Sequence, residues 1–221
     1  MDQKKLDQQS QHWEISFLNK PEMFGLEPSI VAVEALKSFK KENIKNIVEL
    51  GAGLGRDTIF FAKNSIYVEA LDYSKTSIEN IKNKSIKLNL SKFIKLKFFD
   101  IRKKLPFKDS SIQGCFSHML YCMALSNSDL DNLNNEICRV LKPGGINIYT
   151  VRNTDDGDYK NGVHIGEDLY ENDGFIVHFF SKDKIKQFSK GFEILDIKKF
   201  EEGKFPRKLF RVTLKKKSLT R

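Results

Sequence analysis

The chain has 221 residues, 40% of them hydrophobic and 30% charged, enough for one sizeable core and too few for two comfortable domains. No apolar run approaches the roughly 18–20 residues that cross a bilayer. The polar stretch Met1 to Gln11 also lacks the apolar segment of a signal peptide, so no membrane partner and a cytoplasmic location are expected. The net charge of +9 leaves nucleic acid, anionic lipid or an anionic small molecule open as partners, but the lysines are dispersed and read mainly as solvated surface.

In chain order, Pro28-Ser29 opens a helical pattern through Phe39, with Ile30, Val33 and Leu36 on one face. Asn46 to Leu50 is a short apolar run ending at Gly51, a buried strand. A helix follows from near Arg56 through Ala62, then a strand from Tyr67 to Leu71, stopped at Asp72. Ile78, Ile81, Ser85 and Leu88 fall at helical spacing. Lys95 to Phe99 is a third strand, with Asp100 at its end, and Ile112 to Phe116 a fourth. Leu130, Leu133, Ile137, Val140 and Leu141 make an amphipathic helix halted by Lys142-Pro143-Gly144-Gly145, before a fifth strand from Ile146 to Val151.

Such alternation implies βαβ crossovers and a parallel sheet covered on both faces. Ser181 is placed to cap a helix carrying Ile185 and Phe188. Phe192 to Phe200 and Lys208 to Leu214 then read as an antiparallel hairpin turning through Glu202-Gly203-Lys204 and Pro206. Cys115, Cys122 and Cys138 form neither an even set nor a C-x-x-C pair, which argues against disulfides and a structural zinc; no metal is expected.

The turn Glu49-Leu50-Gly51-Ala52-Gly53-Leu54-Gly55 sits between a strand and a helix, where open parallel sheets bind ligands. A dinucleotide fingerprint starting at Gly51 requires glycine where this chain has Arg56. Asp72 ends the next strand, where a carboxylate accepts hydrogen bonds from both hydroxyls of a ribose, and Asp100 adds an acceptor at the same sheet edge.

The series resembles the class I S-adenosylmethionine-dependent methyltransferases. The matching pieces are VELGAGLGRD (Val48 to Asp57), ALDYS (Ala70 to Ser74), FFDIRKKLPF (Phe98 to Phe107), CFSHMLYCMAL (Cys115 to Leu125) and RVLKPGG (Arg139 to Gly145). The resemblance implies a Rossmann-like α/β fold: a seven-stranded, mostly parallel sheet with helices on both faces and a C-terminal antiparallel hairpin. It implies S-adenosylmethionine as methyl donor and S-adenosylhomocysteine as product. Gly51, Gly53 and Gly55 would pack on the cofactor's methionine and ribose portion, with Glu49 near its amino group. Asp72 would hold the ribose hydroxyls, Asp100 and Ile101 would flank the adenine, and Ser117 with His118 would line the methyl-donor end. Ala52, Arg56, Tyr73 and Ser74 complete the implied contact set. GRDTIFFA (Gly55 to Ala62) looks most like the tellurite-resistance and thiopurine branch, which implies an aromatic N-terminal cover from Trp13, Phe17 and Phe24.

Residues 1–27 are thus expected to form a cover segment and 28–221 a single methyltransferase domain, with 151–180 an acceptor-side insertion. The candidates for acceptor contact or catalysis are His118, Tyr121, Arg152 and His164, with His178 expected to be a hydrogen-bonded, half-buried residue. A small-molecule acceptor is favoured, and an anionic one suits the charge. A tRNA or rRNA methyltransferase and a noncatalytic S-adenosylmethionine-binding protein remain as alternatives. Phe116-Ser117-His118-Met119 lacks the prolines of amino-methylating nucleic-acid enzymes, which argues against the first.

Overall fold

The computed structural model describes residues 3–203 and 207–218. Its central sheet is built from β1 (Asn46–Leu50), β2 (Tyr67–Asp72), β3 (Ile94–Phe98), β4 (Ile112–Ser117), β5 (Leu141–Arg152), β9 (Phe192–Glu202) and β10 (Arg207–Lys216). The spatial order is β3-β2-β1-β4-β5-β10-β9, and β10 alone runs antiparallel, against both β5 and β9. The order reverses between β1 and β4, opening a crevice at their carboxyl ends. This is the expected seven-stranded, mostly parallel sheet. The expected hairpin turn at Lys204 and Pro206 lies outside the described residues.

Helices cover both faces because successive side chains of each strand point to opposite sides. On β5, Ile146 and Ile148 join one layer, with Val31 and Phe39 of α2 (Ile30–Lys41), Phe61 of α3 (Arg56–Lys63) and Ile81 of α4 (Lys75–Lys87). Tyr149 and Val151 join the other, with Leu133 and Ile137 of α5 (Asn127–Val140) and Ile185 of α6 (Lys182–Gln187). Each such side chain, fully withdrawn from water, contributes about 1.5–3 kcal/mol. Serine hydroxyls accept a backbone N–H at the start of α2, α4, α5 and α6, through Ser29, Ser74, Ser126 and Ser181.

Three features depart from the sequence reading. The polar N-terminus forms a helix, α1 (Gln3–Asn19), packed on α4 and β8 (Phe175–His178). Its own hydrophobic pattern is weak; the helix is held by polar bonds to distant residues, described below. Residues 152–180 contain a small antiparallel sheet of β6 (Val163–Gly166), β7 (Leu169–Asn172) and β8, rather than an open connection. Finally, β5 begins at Leu141 instead of Ile146. The Lys142–Gly145 stretch bulges within it, as suits a proline without an N–H and Gly144 at φ +75°.

Candidate functional site

The strand-to-helix turn after β1 is left-handed at Gly51 (φ +67°) and Gly55 (φ +81°). A Cβ on Gly51 would stand 2.9 Å from Leu120 Cδ1, and one on Gly55 would run into Ile81 of α4. Both sites therefore require glycine, for conformation and for space. The Gly53 N–H donates to Asp72 Oδ2 at 2.8 Å and the Ser74 N–H to Oδ1 at 2.8 Å, so the carboxylate ties the tip of β2 to the turn. Burial pushes Asp72 up to about 6, against the pull of those bonds.

Glu49, on β1, is 3% exposed and, among the described residues, receives only the Thr58 hydroxyl, at 2.5 Å. Burial and then the neighbouring Asp57 raise it well above the usual carboxylate range. Asp57 itself accepts from Ser29 N and Oγ at 2.7 and 2.8 Å, joining the starts of α2 and α3.

These residues border a cavity of about 620 Å³ at the carboxyl edge of the sheet. Glu49, Gly51, Ala52, Gly53, Arg56, Asp72, Tyr73, Ile101 and His118 all line it. The remaining implied contacts do not. Gly55 packs against Ile81, Ser74 caps α4, and Ser117 is fully buried with no partner for its hydroxyl among the described residues. The Asp100 carboxylate, despite partial burial, is held low by Arg102, which grips it through Nε and Nη2 at 2.7–3.1 Å.

The acceptor candidates separate in the same way. Tyr121 lies in the core, stacked on Tyr149 at 4.1 Å, its hydroxyl taking the Asn147 Nδ2–H at 3.1 Å. His164 is exposed on β6, its Nε2 2.9 Å from Glu167 O, away from the cavity. His178 is fully buried rather than half-buried. Its Nδ1 bonds Leu125 O and its Nε2 receives Lys184 Nζ, each at 2.7 Å, and burial brings it down to about 4. Cys122 is buried, and burial pushes its thiol up to about 11. His118 and Arg152 do line the cavity.

Among the further wall residues, Trp13, Phe17 and Phe24 are the aromatics the resemblance singled out, whereas Phe175 and Glu202 had no sequence signal. Trp13 and Phe17 of α1, Phe24 after it, and Phe175 of β8 form an aromatic row along the cavity, with Trp13 5.4 Å from Phe17 and 4.9 Å from Phe175. Glu14 fastens α1 to α4 by accepting from Thr76 Oγ1 at 2.7 Å, and Gln9 fastens it to the β7–β8 turn through Gly174 O and Ile176 N at 2.9 and 3.2 Å. Glu202, at the end of β9, lines the cavity and holds His118 and Arg56 together. Among the described residues no group of three or more His, Cys, Asp or Glu side chains is placed to hold a metal ion, and no helix is long and apolar enough to cross a membrane.

Comparison with known proteins places residues 47–145 within a family model described as a methyltransferase domain. The chain is 36% identical over 102 residues to phosphoethanolamine N-methyltransferase 1 of Triticum aestivum, a match covering 46% of this chain and 20% of that protein. The chain therefore spans about a fifth of the length of the curated relatives it matches. Among solved structures, it resembles the 1,6-didemethyltoxoflavin-N1-methyltransferase of Burkholderia thailandensis, solved with bound 1,6-didemethyltoxoflavin and S-adenosylhomocysteine. The TM-score is 0.76 at 13% identity, covering 99% of this chain and 91% of that one. A SAM-dependent methyltransferase of Methanosarcina mazei gives a TM-score of 0.68 at 19% identity, covering 78% and 92%. At such identities these two likenesses speak for the fold.

Proposed function

We propose that the protein is a class I S-adenosylmethionine-dependent methyltransferase that transfers a methyl group from S-adenosylmethionine to a small-molecule acceptor, a reading supported by the methyltransferase-domain match over residues 47–145 and by the shared fold. The observation that carries this reading is one continuous cavity, which runs from the glycine turn and Asp72 to the Arg152, Asn172 and Phe175 wall. Donor and acceptor would meet inside it.

The residues fit the cofactor chemically. Gly51 and Gly53 leave the main chain bare beside the cavity, and Asp72 keeps lone pairs free for two ribose hydroxyls. Glu49 is a buried acid that makes no ion pair among the described residues, suited to an α-ammonium group. Ala52, Arg56, Tyr73 and Ile101 complete the wall. Ser117 and His118 stand behind and beside the methyl-donor end, while Gly55, Ser74 and Asp100 support the pocket through α3, α4 and the Arg102 pair. Residues 1–27 act as its cover, 28–221 as the catalytic domain, and 151–180 as the acceptor-side insertion. With its three cysteines unpaired, the protein is read as cytoplasmic.

When bound, the cofactor supplies an electrophilic sulfonium methyl. The chain's contribution is alignment and exclusion of water. The aromatic row closes one side, the β7–β8 turn another, and the Glu202 end of β9 a third. Sulfur, nitrogen, oxygen and carbon acceptors all suit this geometry, and an anionic acceptor suits the net charge of +9.

Calorimetry with S-adenosylhomocysteine tests the assignment. Burial holds the Glu49 carboxyl well above the usual carboxylate range in the free protein. Pairing with the ligand's ammonium favours the carboxylate, so binding releases a proton. The expected result is a binding enthalpy that varies with the ionisation enthalpy of the buffer, and loss of that variation in Glu49→Gln. Absence of binding would sink the reading.

A further inference from the structure

The acceptor end of the cavity carries two guanidinium groups in different surroundings. Arg152, the last residue of β5, is 6% exposed. Its Nε donates to Asp156 at 3.2 Å, and its Nη2 donates to both Asp156 and, at 2.6 Å, Asp158. Its plane lies over the Phe179 ring, 5.3 Å from the centroid. These anchors fix the group and leave Nη1 without a partner among the described residues of a cavity it lines. Arg207, the first residue of β10, lines the same cavity, is exposed, and makes no ion pair among the described residues.

The ladder register brings the two side by side. Leu209 stands opposite Arg152 across the antiparallel pairing of β10 with β5. Arg207, two residues from Leu209, therefore leaves the same face of the sheet as the diagonal neighbour of Arg152. The Cys122 thiol reports on both: burial drives it up to about 11, while Arg152 and Arg207 pull against that rise. Asp158 and Asp173 also line this end, so it is no pool of positive charge. What it offers is directed N–H donors, one set of them rigid before any ligand arrives.

Resting on the methyl-transfer reading above, we propose that Arg152 and Arg207 form a clamp for an oxyanion, a phosphate monoester or a carboxylate, carried by the methyl acceptor. Guanidinium forks match such groups with paired, charge-assisted hydrogen bonds. A donor already held in place by Asp156, Asp158 and Phe179 loses less freedom on binding than a mobile one. The acceptor then lies with its anionic end at the β5–β10 edge and its reactive end toward His118, so charge at one end selects the substrate and orients the other.

The test uses the full chain saturated with S-adenosylhomocysteine and titrates two matched pairs by calorimetry: phosphoethanolamine against ethanolamine, and glycine against methylamine. In at least one pair the oxyanion-bearing compound is expected to bind at least tenfold more tightly, with an affinity that falls as salt is added. The pair that shows the preference tells phosphate from carboxylate. Arg207→Ala is expected to cut the preference to within about twofold, with the melting temperature and S-adenosylhomocysteine affinity unchanged. Arg152→Lys, which keeps the charge and loses the fork, is expected to weaken the preferred compound about tenfold. No preference in either pair, or a preference that survives Arg207→Ala, overturns the clamp alone. Failure of S-adenosylhomocysteine to bind the wild-type chain overturns the methyl-transfer reading, and the clamp with it.

Discussion

His118 Nε2 lies 2.9 Å from Glu202 Oε2, joining the end of β4 to the end of β9 across 84 residues. Since an ionised carboxylate only accepts, Nε2 carries the hydrogen. Nδ1 is 3.0 Å from Thr150 Oγ1, which itself accepts the Met119 N–H at 2.8 Å. The other Glu202 oxygen takes Arg56 Nη2 at 3.4 Å, and Arg56 Nη1 donates to Phe24 O at 2.8 Å. One carboxylate thereby ties the C-terminal hairpin to the glycine-turn helix and, through Arg56, to the segment after α1.

Glu202→Gln is accordingly expected to lower thermal stability by about 1–2 kcal/mol, the scale of a partly buried hydrogen bond to a charged group. Burial would raise the Glu202 carboxyl, but His118 and Arg56 hold it below its usual value. A depressed acid stabilises the fold above its unfolded pKa and loses that contribution as pH falls through the folded one. The gap in melting temperature between wild type and variant should therefore be widest near neutrality and close below about pH 4.5. A gap independent of pH would contradict the ion-pair account.

Asp72→Ala is expected to weaken S-adenosylhomocysteine binding at least tenfold, about 1.4 kcal/mol, with the fold retained. The wild-type protein carries its own control. Burial raises Asp72 to about 6, and the protonated form has lost acceptor capacity for the ribose hydroxyls. Affinity should thus fall as pH drops from 7 through 6, measured by calorimetry, and this dependence should be weaker in the alanine variant. The sign for folding is opposite: a raised acid binds its proton more tightly in the native state, so its contribution to stability declines as pH rises from about 4 to 6.

Gly55→Ala separates support from contact. Gly55 stands at φ +81° with Ile81 in the space a methyl group requires, and it does not line the cavity. The substitution should cost about 1–3 kcal/mol through backbone strain and crowding, read in a denaturant melt. Ile81→Ala in the same chain should recover the crowding part, though it opens its own cavity in the core. Unchanged stability in Gly55→Ala would show that the turn does not need glycine there.

Strand and helix periodicity, the glycine turn and the Asp72 spacing were legible because each arises from neighbours in the chain. Hydrophobic alternation repeats every two or 3.6 residues, and a strand-to-helix turn is a few residues long. The succession of β1 to β5 along the chain and the C-terminal hairpin followed from these local signals, whereas the spatial order of the strands in the sheet did not. So did the placement of Glu49, Gly51, Gly53 and Asp72 at one sheet edge.

What only the tertiary structure decided are the groups that act through distant partners. Glu14, Gln9 and Glu202 are ordinary polar residues in sequence, and acquire roles because packing sets them against Thr76, Gly174 and His118. Equally, Tyr121 follows β4 in the chain as closely as His118 does, yet its ring turns into the core to stack on Tyr149. Which side of a loop a ring or a carboxylate faces is settled by the free energy of packing and desolvation over the whole fold, and local spacing holds no record of it.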